Sequence, residues 1–447
     1  MDRASTGTDA VAYRYRMGTA IVGVIGLGYV GVPLALVACA AGFSVVGFDI
    51  DDEKVARLKR GESYIKHIKH DEIRRRVEAR QFRATSDFSE LADVDAILIC
   101  VPTPLSRQRE PDLRFIEHTA EAISAHLRAN HLVVLESTTY PGTTVDFVRP
   151  ILEKTGLACG KDFYLAFSPE REDPGNPDFE THGIPKVIGG TDPHSTEIAN
   201  ALYGKLFKRI VPVSSTQTAE AVKLTENIFR AVNIALVNEL KVIYDAMGID
   251  VWEVIEAAKT KPFGFMAFYP GPGLGGHCIP IDPFYLTWKA REYEIATQFI
   301  ELAGNINTSM PRWVLERLAS ALDRRSQRGL NGAHILVLGL AYKKNVDDMR
   351  ESPALKLIEL LEGRGAKTDY YDPYIPVVPV TREHADLAGR KSIVWSPEQI
   401  ARYDAVLIAT DHDDLDYGEL VRHAKMVVDT RNACARHGVL GDHIVKA

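Results

Sequence analysis

The sequence predicts an α/β protein with two Rossmann-like, doubly wound domains joined by a long central helix. Two stretches, 21–50 and 334–342, begin with an apolar strand that ends in a glycine-containing turn. Between them, residues 216–247 contain neither glycine nor proline, and their apolar side chains recur at helical spacing. A chain of 447 residues has room for two or three domains of ordinary size.

These patterns divide the chain into four parts. The boundaries that we predict are 1–19 for a loose polar lead-in, 20–214 for a first Rossmann domain, 215–328 for a central helical domain, and 329–447 for a C-terminal Rossmann-like domain.

Composition excludes several classes of function. The formal net charge of -7 argues against nucleic-acid binding, and no apolar run reaches the roughly 18 residues that cross a bilayer. The first 20 residues lack the apolar core of a secretory signal. The cysteines contain no CxxC pair, which disfavours a metal cluster or a disulfide framework and indicates a reducing, cytoplasmic compartment. We therefore expect no membrane, no nucleic acid and no metal.

The first strand leads into "GLGYVG", in which Gly26, Gly28 and Gly31 form GxGxxG. The motif follows a strand, opens a helix and is followed by Asp49 at the end of the next strand, which is the context of a dinucleotide site. Gly26 allows the tight turn, Gly28 lets a pyrophosphate approach, and Gly31 permits close packing. A carboxylate at position 49 binds ribose hydroxyls and repels a 2′-phosphate, so NAD is the expected cofactor.

Later strands of the same sheet, "DAILICVPTP" and "HLVVLESTTYPG", also end in turn-forming residues. Ligands of parallel sheets bind at such strand ends. The hydroxyls of "STTYPGTT" and the carboxylate of Glu170 in "FSPERE" are candidates, although simple turn chemistry explains both stretches equally well.

The long helix over 216–247 ends at Gly248. Its predicted apolar positions are Val222, Phe229, Val232, Leu236, Leu240 and Ile243. Lys223 and Asn227 lie four residues apart and therefore share a face of the helix. From the residues alone, the favoured interpretation of this pair is two solvated polar side chains.

The stretch "GPGLGGHCIPIDP" places a single thiol, Cys278, in a glycine-rich loop. Exposed amides there would stabilise a thiolate or hold a substrate, and Asp282 would share a face with the thiol if the segment continues as a helix. A glycine-rich loop with a bystander thiol is an equal alternative. Further along, Lys343, Lys344 and Arg350 lie in "AYKKNVDDMRESP", where they suit a phosphate-bearing ligand or a solvated loop of mixed charge.

Together these motifs resemble the UDP-glucose/GDP-mannose dehydrogenase family from about residue 20 to the end. The stretches that carry the resemblance are "GLGYVGVPLA", "STTYPGTT", "FSPER", "AEAVKLTEN", "GPGLGGHCIPIDP" and "YKKNVDDMRESP". Within the family, "GGHCIPIDPFYLTWKARE" looks most like the UDP-N-acetylglucosamine 6-dehydrogenases. Members that oxidise UDP-glucose commonly carry a lysine just before the aspartate, where this chain has Ile281.

The resemblance implies a four-electron oxidation of a sugar C6 hydroxyl to a carboxylate, with two NAD consumed. It implies that Cys278 traps the aldehyde as a thiohemiacetal, which becomes a thioester and is hydrolysed. In this scheme Lys223 and Asn227 stabilise the oxyanion, and Asp282 positions water or acts as a base. Glu170 assists hydrolysis, and the Thr138 hydroxyl holds the reacting water.

The resemblance also implies a role for each domain: 20–214 binds NAD, 215–328 carries the catalytic cysteine loop, and 329–447 binds the nucleotide sugar. It assigns binding residues as well. Those expected to bind NAD are Gly26, Gly28, Tyr29, Val30, Gly31, Asp49, Lys54, Pro102, Thr103, Ser137 and Thr138. Those expected to bind the UDP-sugar are Glu170, Arg171, Lys223, Asn227, Tyr269, Gly273, Gly275, Gly276, Lys343 and Arg350.

Other interpretations stay open at this point. UDP-ManNAc, UDP-GalNAc and UDP-glucose are alternative substrates. A two-electron dehydrogenase of the 3-hydroxy-acid type would use the helix lysine and asparagine but would not need Cys278. A nucleotide-sugar sensor would bind without turnover. The resemblance further implies a homodimer, or a higher homo-oligomer, formed through the long helix.

Overall fold

The structure is a computed structural model that describes residues 7–66, 68–106, 108–171, 183–276, 279–380 and 384–447. The chain divides into two compact units. The first comprises Met1–Glu226 and Trp288–Ile295, and the second comprises Asn227–Thr287 and Ala296–Ala447. The four-part division remains a prediction.

An eight-stranded sheet forms the centre of the first unit. Its strands are β1 Ile21–Ile25, β2 Ser44–Phe48, β3 Phe82–Thr85, β4 Ala96–Ile99, β5 Leu132–Leu135, β6 Tyr164–Phe167, β7 Lys186–Gly190 and β8 Ile210–Val213. Their order is β3-β2-β1-β4-β5-β6-β7-β8, and among these described strands only β6 and β7 pair antiparallel. Because the chain moves outward from β1 in both directions, the ends of β1 and β4 mark the switch point at which ligands bind in such sheets.

Helices cover both faces of this sheet. They are α1 Gly7–Met17, α2 Gly31–Ala40, α3 Asp52–Lys59, α4 His70–Glu78, α5 Arg114–Ser124, α6 Arg149–Glu153 and α7 Pro193–Leu206. Alternate residues of the strands contribute to two cores: Val22 and Leu98 belong to one, and Ile97 and Ile99 to the other. This is the two-sided burial that parallel sheets require.

The expectation of a loose lead-in is wrong for α1. Ala12 and Tyr15 are buried in the core that also contains α7 residues. The Arg14 guanidinium donates two hydrogen bonds of 2.8 Å to the Asp95 carboxylate, and the Tyr15 hydroxyl donates to the Asp95 carbonyl at 2.8 Å. Few apolar residues of α1 are buried, and polar side chains make the other contacts. The sequence of α1 therefore looks polar although the helix packs against the first unit.

The central helix, α8, runs over Thr216–Met247, which confirms the predicted range. Gly248 follows with φ +73°, a left-handed conformation that commonly ends a helix and that glycine adopts with the least strain. Three more helices follow: α9 Val251–Lys259, α10 Asp282–Arg291 and α11 Phe299–Ser326.

The second unit contains a five-stranded parallel sheet. Its strands are β9 His334–Leu338, β10 Lys367–Tyr371, β11 Ala405–Ile408, β12 Val427–Asp429 and β13 Ile444–Lys446, in the order β10-β9-β11-β12-β13. The accompanying helices are α12 Pro353–Gly363, α13 Pro397–Ile400, α14 Tyr417–His423 and α15 Ala433–Arg436. The predicted fold class, two Rossmann-like domains and a long central helix, is confirmed. Within the described residues, no helix combines the length and the apolarity needed to cross a membrane.

Candidate active site

The turn between β1 and α2 has the geometry of a dinucleotide cradle. Gly26 adopts φ +89°, and a Cβ on Gly31 would lie 1.9 Å from the Gly26 carbonyl oxygen, so only glycine fits at position 31. A Cβ on Gly28 would meet no heavy atom within 4 Å, which leaves space above the turn for a pyrophosphate. Tyr29 and Val30 are half-buried at the start of the helix. These residues fit NAD, with its diphosphate at the N-terminus of α2.

Asp49 follows β2 and is largely buried. Its carboxylate accepts from the backbone N–H groups of Leu27 at 2.8 Å and Asp51 at 3.0 Å, which fixes its orientation beside the glycine turn. The Lys54 ammonium lies 3.9 Å from the same carboxylate. The arrangement places an anion and a neighbouring cation at the end of β2, as expected for an adenosine-binding corner.

The ends of β4 and β5 present the other predicted cofactor residues. Pro102 is exposed and Thr103 is buried directly after β4. The Ser137 hydroxyl donates to the Val101 carbonyl at 2.7 Å, which ties the loop after β5 to the loop after β4. Thr138, next in the chain, is half-buried.

Two predicted catalytic residues meet in the first unit. The Lys223 ammonium donates a 2.6 Å hydrogen bond to the backbone carbonyl of Glu170. The neighbouring Arg171 donates to both carboxylate oxygens of Glu226, at 3.2 and 2.5 Å, and to the Pro185 carbonyl at 2.6 Å. The loop after β6 is thus attached to α8 at the level of Lys223.

Another pair meets in the second unit. The Asn227 amide donates a 2.5 Å hydrogen bond to the Asp282 carboxylate, and both side chains are buried. Asp282 is the first residue of α10, where the helix dipole favours a negative charge. Cys278 and His277 lie outside the described residues.

The glycine loop and the cationic loop of the second unit are also in contact. The Gly276 N–H donates to the Arg350 carbonyl at 3.1 Å. A Cβ on Gly275 or Gly276 would come within 2.8 or 2.9 Å of the Tyr342 side chain. These glycines are therefore required by the chain's own packing, whatever they offer a ligand.

The remaining predicted substrate residues of this unit are dispersed. Gly273 adopts φ +143° beside Pro353, and the Tyr269 hydroxyl donates to Glu256 at 2.5 Å. The Lys343 ammonium lies 5.8 Å from the centre of the Tyr342 ring. The Arg350 guanidinium holds the Asp348 carboxylate at 2.6 Å.

Sequence reasoning missed Glu220, which lies one turn before Lys223 on α8. Its buried carboxylate accepts from the Gly142 N–H at 2.6 Å, the Thr144 N–H at 2.9 Å and the Thr144 hydroxyl at 2.7 Å. Burial raises the pKa of Glu220 to about 7, although these hydrogen bonds act in the opposite direction. Glu220 thereby attaches the loop that carries Thr138 to the central helix. The sequence does place Glu220 three residues before Lys223, and this spacing on one helix could have identified it.

Sequence reasoning also missed a buried ionic cluster, which we call the Lys186 cluster: Glu136, Glu170, Lys186 and Tyr203. The Lys186 ammonium donates to Glu136 at 2.7 Å and to Glu170 at 3.1 Å. The Tyr203 hydroxyl donates to Glu136. A lysine at the start of the apolar strand "KVIGG" was the sequence signal, because a lysine buried in a strand requires a charged partner.

A glycine turn that opens a helix at a sheet's switch point, with an acid at the end of the neighbouring strand, defines a dinucleotide-binding protein. Three family models match the chain. They are the NAD binding domain (20–207), the central domain (217–309) and the UDP binding domain (336–436) of the UDP-glucose/GDP-mannose dehydrogenase family. The chain belongs to this family. It is an NAD-dependent nucleotide-sugar 6-dehydrogenase.

Individual relatives agree over nearly the whole length. UDP-N-acetyl-D-mannosamine dehydrogenase of Pyrococcus horikoshii is 36% identical over 421 residues, which cover 92% of this chain and 95% of the relative. UDP-N-acetyl-D-glucosamine 6-dehydrogenase of Pseudomonas aeruginosa is 35% identical over 395 residues, covering 88% and 90%. A solved structure of the P. horikoshii UDP-D-ManNAc dehydrogenase superposes with a TM-score of 0.85 at 33% identity, covering 95% of this chain and 98% of that one.

Proposed function

We propose that the protein oxidises the C6 hydroxyl of UDP-N-acetylglucosamine to the carboxylate in two successive two-electron steps. The observation that carries this proposal is that the predicted catalytic residues form pairs within each unit. Lys223 binds the backbone of Glu170, and Asn227, one helical turn further on, binds Asp282. Spacing of this kind on one helix presents a cation and an amide to the same side.

The choice of an N-acetylated sugar rests on the loop around Cys278. Ile281 stands where a lysine is common in enzymes that act on UDP-glucose, and "GGHCIPIDPFYLTWKARE" resembles the branch that acts on UDP-N-acetylglucosamine. A relative at 35% identity carries that activity in its name. UDP-N-acetylmannosamine is the second candidate, because the relative at 36% identity is named for it.

Covalent chemistry at Cys278 explains how an aldehyde is oxidised further. An aldehyde lacks the tetrahedral oxygen from which a hydride departs, and attack by the thiolate restores that geometry as a thiohemiacetal. The thiohemiacetal then loses a hydride from its carbon and a proton from its hydroxyl, which gives a thioester. Water cleaves the thioester, returning the thiol and releasing the carboxylate and a proton. NAD, when bound, supplies the two-electron acceptor for both oxidations. One sugar, two NAD and one water are consumed.

The other residues act on charge and on water. Lys223 and Asn227 stabilise the negative charge that develops on the C6 oxygen, since a fixed cation and a fixed amide need little reorganisation. Asp282 takes up the proton of the hydroxyl or orients water. Glu170 and the Thr138 hydroxyl position the water that attacks the thioester.

The binding of cofactor and substrate follows the two Rossmann-like regions. The turn Gly26–Gly31 with Asp49 would hold the NAD pyrophosphate and ribose, and Lys343 and Arg350 would hold the UDP group of the sugar. This assignment is consistent with the NAD binding and UDP binding domain models that match the two ends of the chain.

We further propose a homodimer in the cytoplasm. Phe229, Leu236, Ile243 and Met247 recur along α8 and are between 46% and 64% exposed. Such a stripe on a helix is the usual surface for another copy of the chain. Light scattering of Leu236→Asp and Ile243→Lys variants tests the dimer, because a monomeric protein is expected from each. The free cysteines among the described residues suit a reducing compartment.

Counting products tests the reaction. Purified protein is supplied with UDP-N-acetylglucosamine, UDP-N-acetylmannosamine, UDP-N-acetylgalactosamine or UDP-glucose, each with NAD or NADP, and NADH is followed at 340 nm. We expect two NADH per sugar, the highest kcat/KM with UDP-N-acetylglucosamine and a free uronic acid as product. One NADH per sugar with free aldehyde would contradict the thioester step.

The Cys278→Ser variant separates the covalent mechanism from a simple two-electron dehydrogenase. We expect turnover to fall by at least about 1,000-fold, with slow chemistry at the level of the aldehyde, because a hydroxyl is a much weaker nucleophile than a thiolate. Full turnover in this variant would favour the two-electron alternative. Binding of UDP-sugar with no NADH signal in the wild type would favour a sensor.

A further inference from the structure

The Lys186 cluster is almost completely buried in the first unit. Side-chain exposure is 3% for Lys186, 0% for Glu136 and 16% for Glu170. Glu136 directly follows β5, Lys186 begins β7 and Glu170 lies in the loop after β6, so the cluster spans three adjoining strands at the edge where ligands bind.

Lys186 is held as a cation. Burial alone would lower the pKa of Lys186, but the carboxylates of Glu136 and Glu170 outweigh it and raise that pKa above the ordinary value. Burial raises the pKa of Glu136, whose carboxylate also receives the Tyr203 hydroxyl. Lys186 further packs against the Phe207 ring, with its ammonium 5.3 Å from the ring centre. Contacts with the Glu136 carboxylate and with the Tyr203 and Phe207 rings therefore fix the position of the Lys186 ammonium.

Glu170 is fixed from several sides. One carboxylate oxygen accepts the Lys186 ammonium at 3.1 Å, and the other accepts the Arg171 N–H at 2.7 Å. Its backbone carbonyl accepts the Lys223 ammonium at 2.6 Å. Glu170 is the most exposed of the three charged residues of the Lys186 cluster. The cluster therefore extends from the fully buried Glu136 to a carboxylate that solvent can reach.

We propose that Lys186 is a positioning residue of the reaction, which orients Glu170 and keeps it in the carboxylate form that assists hydrolysis of the thioester. This inference rests on the function proposed above. A cation within hydrogen-bonding distance favours the ionised form of a carboxylate, and a carboxylate that activates water must be ionised. Lys186 does not itself touch the reacting atoms. Its loss should therefore slow hydrolysis and leave the formation of the thioester nearly intact.

The experiment removes the ammonium, and a double variant also neutralises Glu136, so that this buried carboxylate is not left without a cation. The variants are Lys186→Met, Lys186→Met with Glu136→Gln, and Lys186→Arg, with the exposed Lys161→Met as a matched control. Each is mixed with UDP-N-acetylglucosamine and NAD. The first-turnover formation of NADH, the steady-state rate from pH 5 to 9, and the acylated protein in acid-quenched samples are measured, the last by intact mass.

We expect the double variant to accumulate acylated protein, to turn over at least about 10-fold more slowly, and to shift the acidic limb of its pH profile upward by about one unit. First-turnover NADH should stay within about threefold of wild type. Lys186→Arg should restore the wild-type pH profile, since it preserves the charge. A folded double variant with an unchanged profile and no accumulation would overturn the proposal.

A cycle with Glu170→Gln separates positioning from a general structural role. If Lys186 acts through Glu170, removing it in the Glu170→Gln background adds little to the loss of hydrolysis. Equal losses in both backgrounds would show that the effect does not pass through Glu170. Failure of the proposed function is distinguishable, because wild type itself would then give fewer than two NADH per sugar.

Discussion

Both units contain a strand that ends in a left-handed glycine, Gly26 in the first and Gly339 in the second, and both place an aspartate after the neighbouring strand. Beyond the glycine the two regions differ. In the first unit α2 begins at Gly31, directly after the turn, whereas in the second unit α12 begins only at Pro353. Of these two glycine turns, only the one at Gly26 leads directly into a helix N-terminus, the group that binds a pyrophosphate.

The two aspartates differ in how many of their acceptor sites the protein uses. Asp49 accepts two backbone N–H groups. Asp372 accepts four, from Leu340, Ala341, Tyr374 and Ile375, and its carboxylate also contacts the His412 ring at 3.1 Å. A carboxylate has about four lone-pair sites. Asp49 can therefore still accept hydrogen bonds from ribose hydroxyls, whereas the backbone N–H groups around Asp372 already use all of its sites.

One βαβ layout therefore suits two kinds of ligand through different groups of atoms. In the first unit the groups that we propose for ligand binding are the backbone turn, the helix N-terminus and a partly available carboxylate. In the second unit the loop between Gly339 and Pro353 carries cationic side chains instead, and residues 336–436 match the family's UDP binding domain.

Gly31→Ala should have the largest effect. Its Cβ would lie 1.9 Å from the Gly26 carbonyl, and rigid backbone cannot yield cheaply, so we expect a loss of about 4 kcal/mol or more in the free energy of unfolding. Urea denaturation followed by circular dichroism measures it. Gly28→Ala is the matched control, since open space surrounds that Cβ: stability should change by under about 0.5 kcal/mol while NAD affinity falls. Equal destabilisation by both would refute the cradle geometry.

Asp372→Asn should mainly reduce stability, whereas Asp49→Asn should mainly change the cofactor preference. The Asp372→Asn substitution turns an amide NH₂ toward backbone donors in a fully buried site, and we expect a stability loss of about 3 to 5 kcal/mol. Asp49→Asn should cost about 1 kcal/mol and reduce the preference for NAD over NADP, because the repulsion of a 2′-phosphate disappears. Denaturation and kcat/KM with both cofactors measure the two effects. Similar stability losses would weaken the contrast.

A change of pH should affect the stability of the two units in opposite directions, through Glu220 in the first unit and Asp372 in the second. Burial raises the pKa of Glu220 to about 7, so the stability it provides is present below its unfolded pKa and is lost as pH rises toward 7, roughly 3 kcal/mol in all. Burial also opposes ionisation of Asp372, but His412 and the amides hold its pKa below the ordinary value, and its contribution is lost only in acid.

Glu220→Gln tests the first half of that prediction. The wild-type free energy of unfolding should decline from pH 5 to 7 relative to the variant and run parallel to it above pH 8. Parallel curves throughout would show that Glu220 is already ionised at pH 5.

Lys343→Ala and Arg350→Ala should have the smallest effect. Each removes a cation expected to bind the UDP group, and we expect the KM for the UDP-sugar to rise about 10-fold with an unchanged KM for NAD, since one charged hydrogen bond contributes roughly this much. Initial velocities with either substrate varied provide the measurement. Lys356→Ala, on the exposed side of α12, is the control and should leave both KM values in place. A change in the KM for NAD would contradict the separation of the two ligands.

Regular periodicity made the fold predictable from the sequence. Residues 216–247 contain no residue that breaks a helix, and the structure forms α8 over that range. The glycine turn was predictable because steric rules select glycine there. The pairs Lys223–Glu170 and Asn227–Asp282 join residues more than 50 positions apart, so composition and spacing could nominate the residues but could not show the contacts.

Buried polar groups account for what the sequence did not predict. Glu220 and Lys186 look like ordinary charged residues in one dimension, and only the folded chain shows that each is enclosed and paired. The helix α1 escaped prediction for a related reason, since it is held by Arg14 and Tyr15 rather than by a long apolar face.

The anchoring of α1 has a practical consequence for producing this protein. The NAD binding domain model begins at residue 20, so a chain trimmed to that boundary would lack the whole helix. Asp95 would then lose the Arg14 guanidinium, and apolar surface on α7 would face water. We expect such a shortened protein to express poorly and to precipitate, whereas a version that begins before Gly7 should stay in solution.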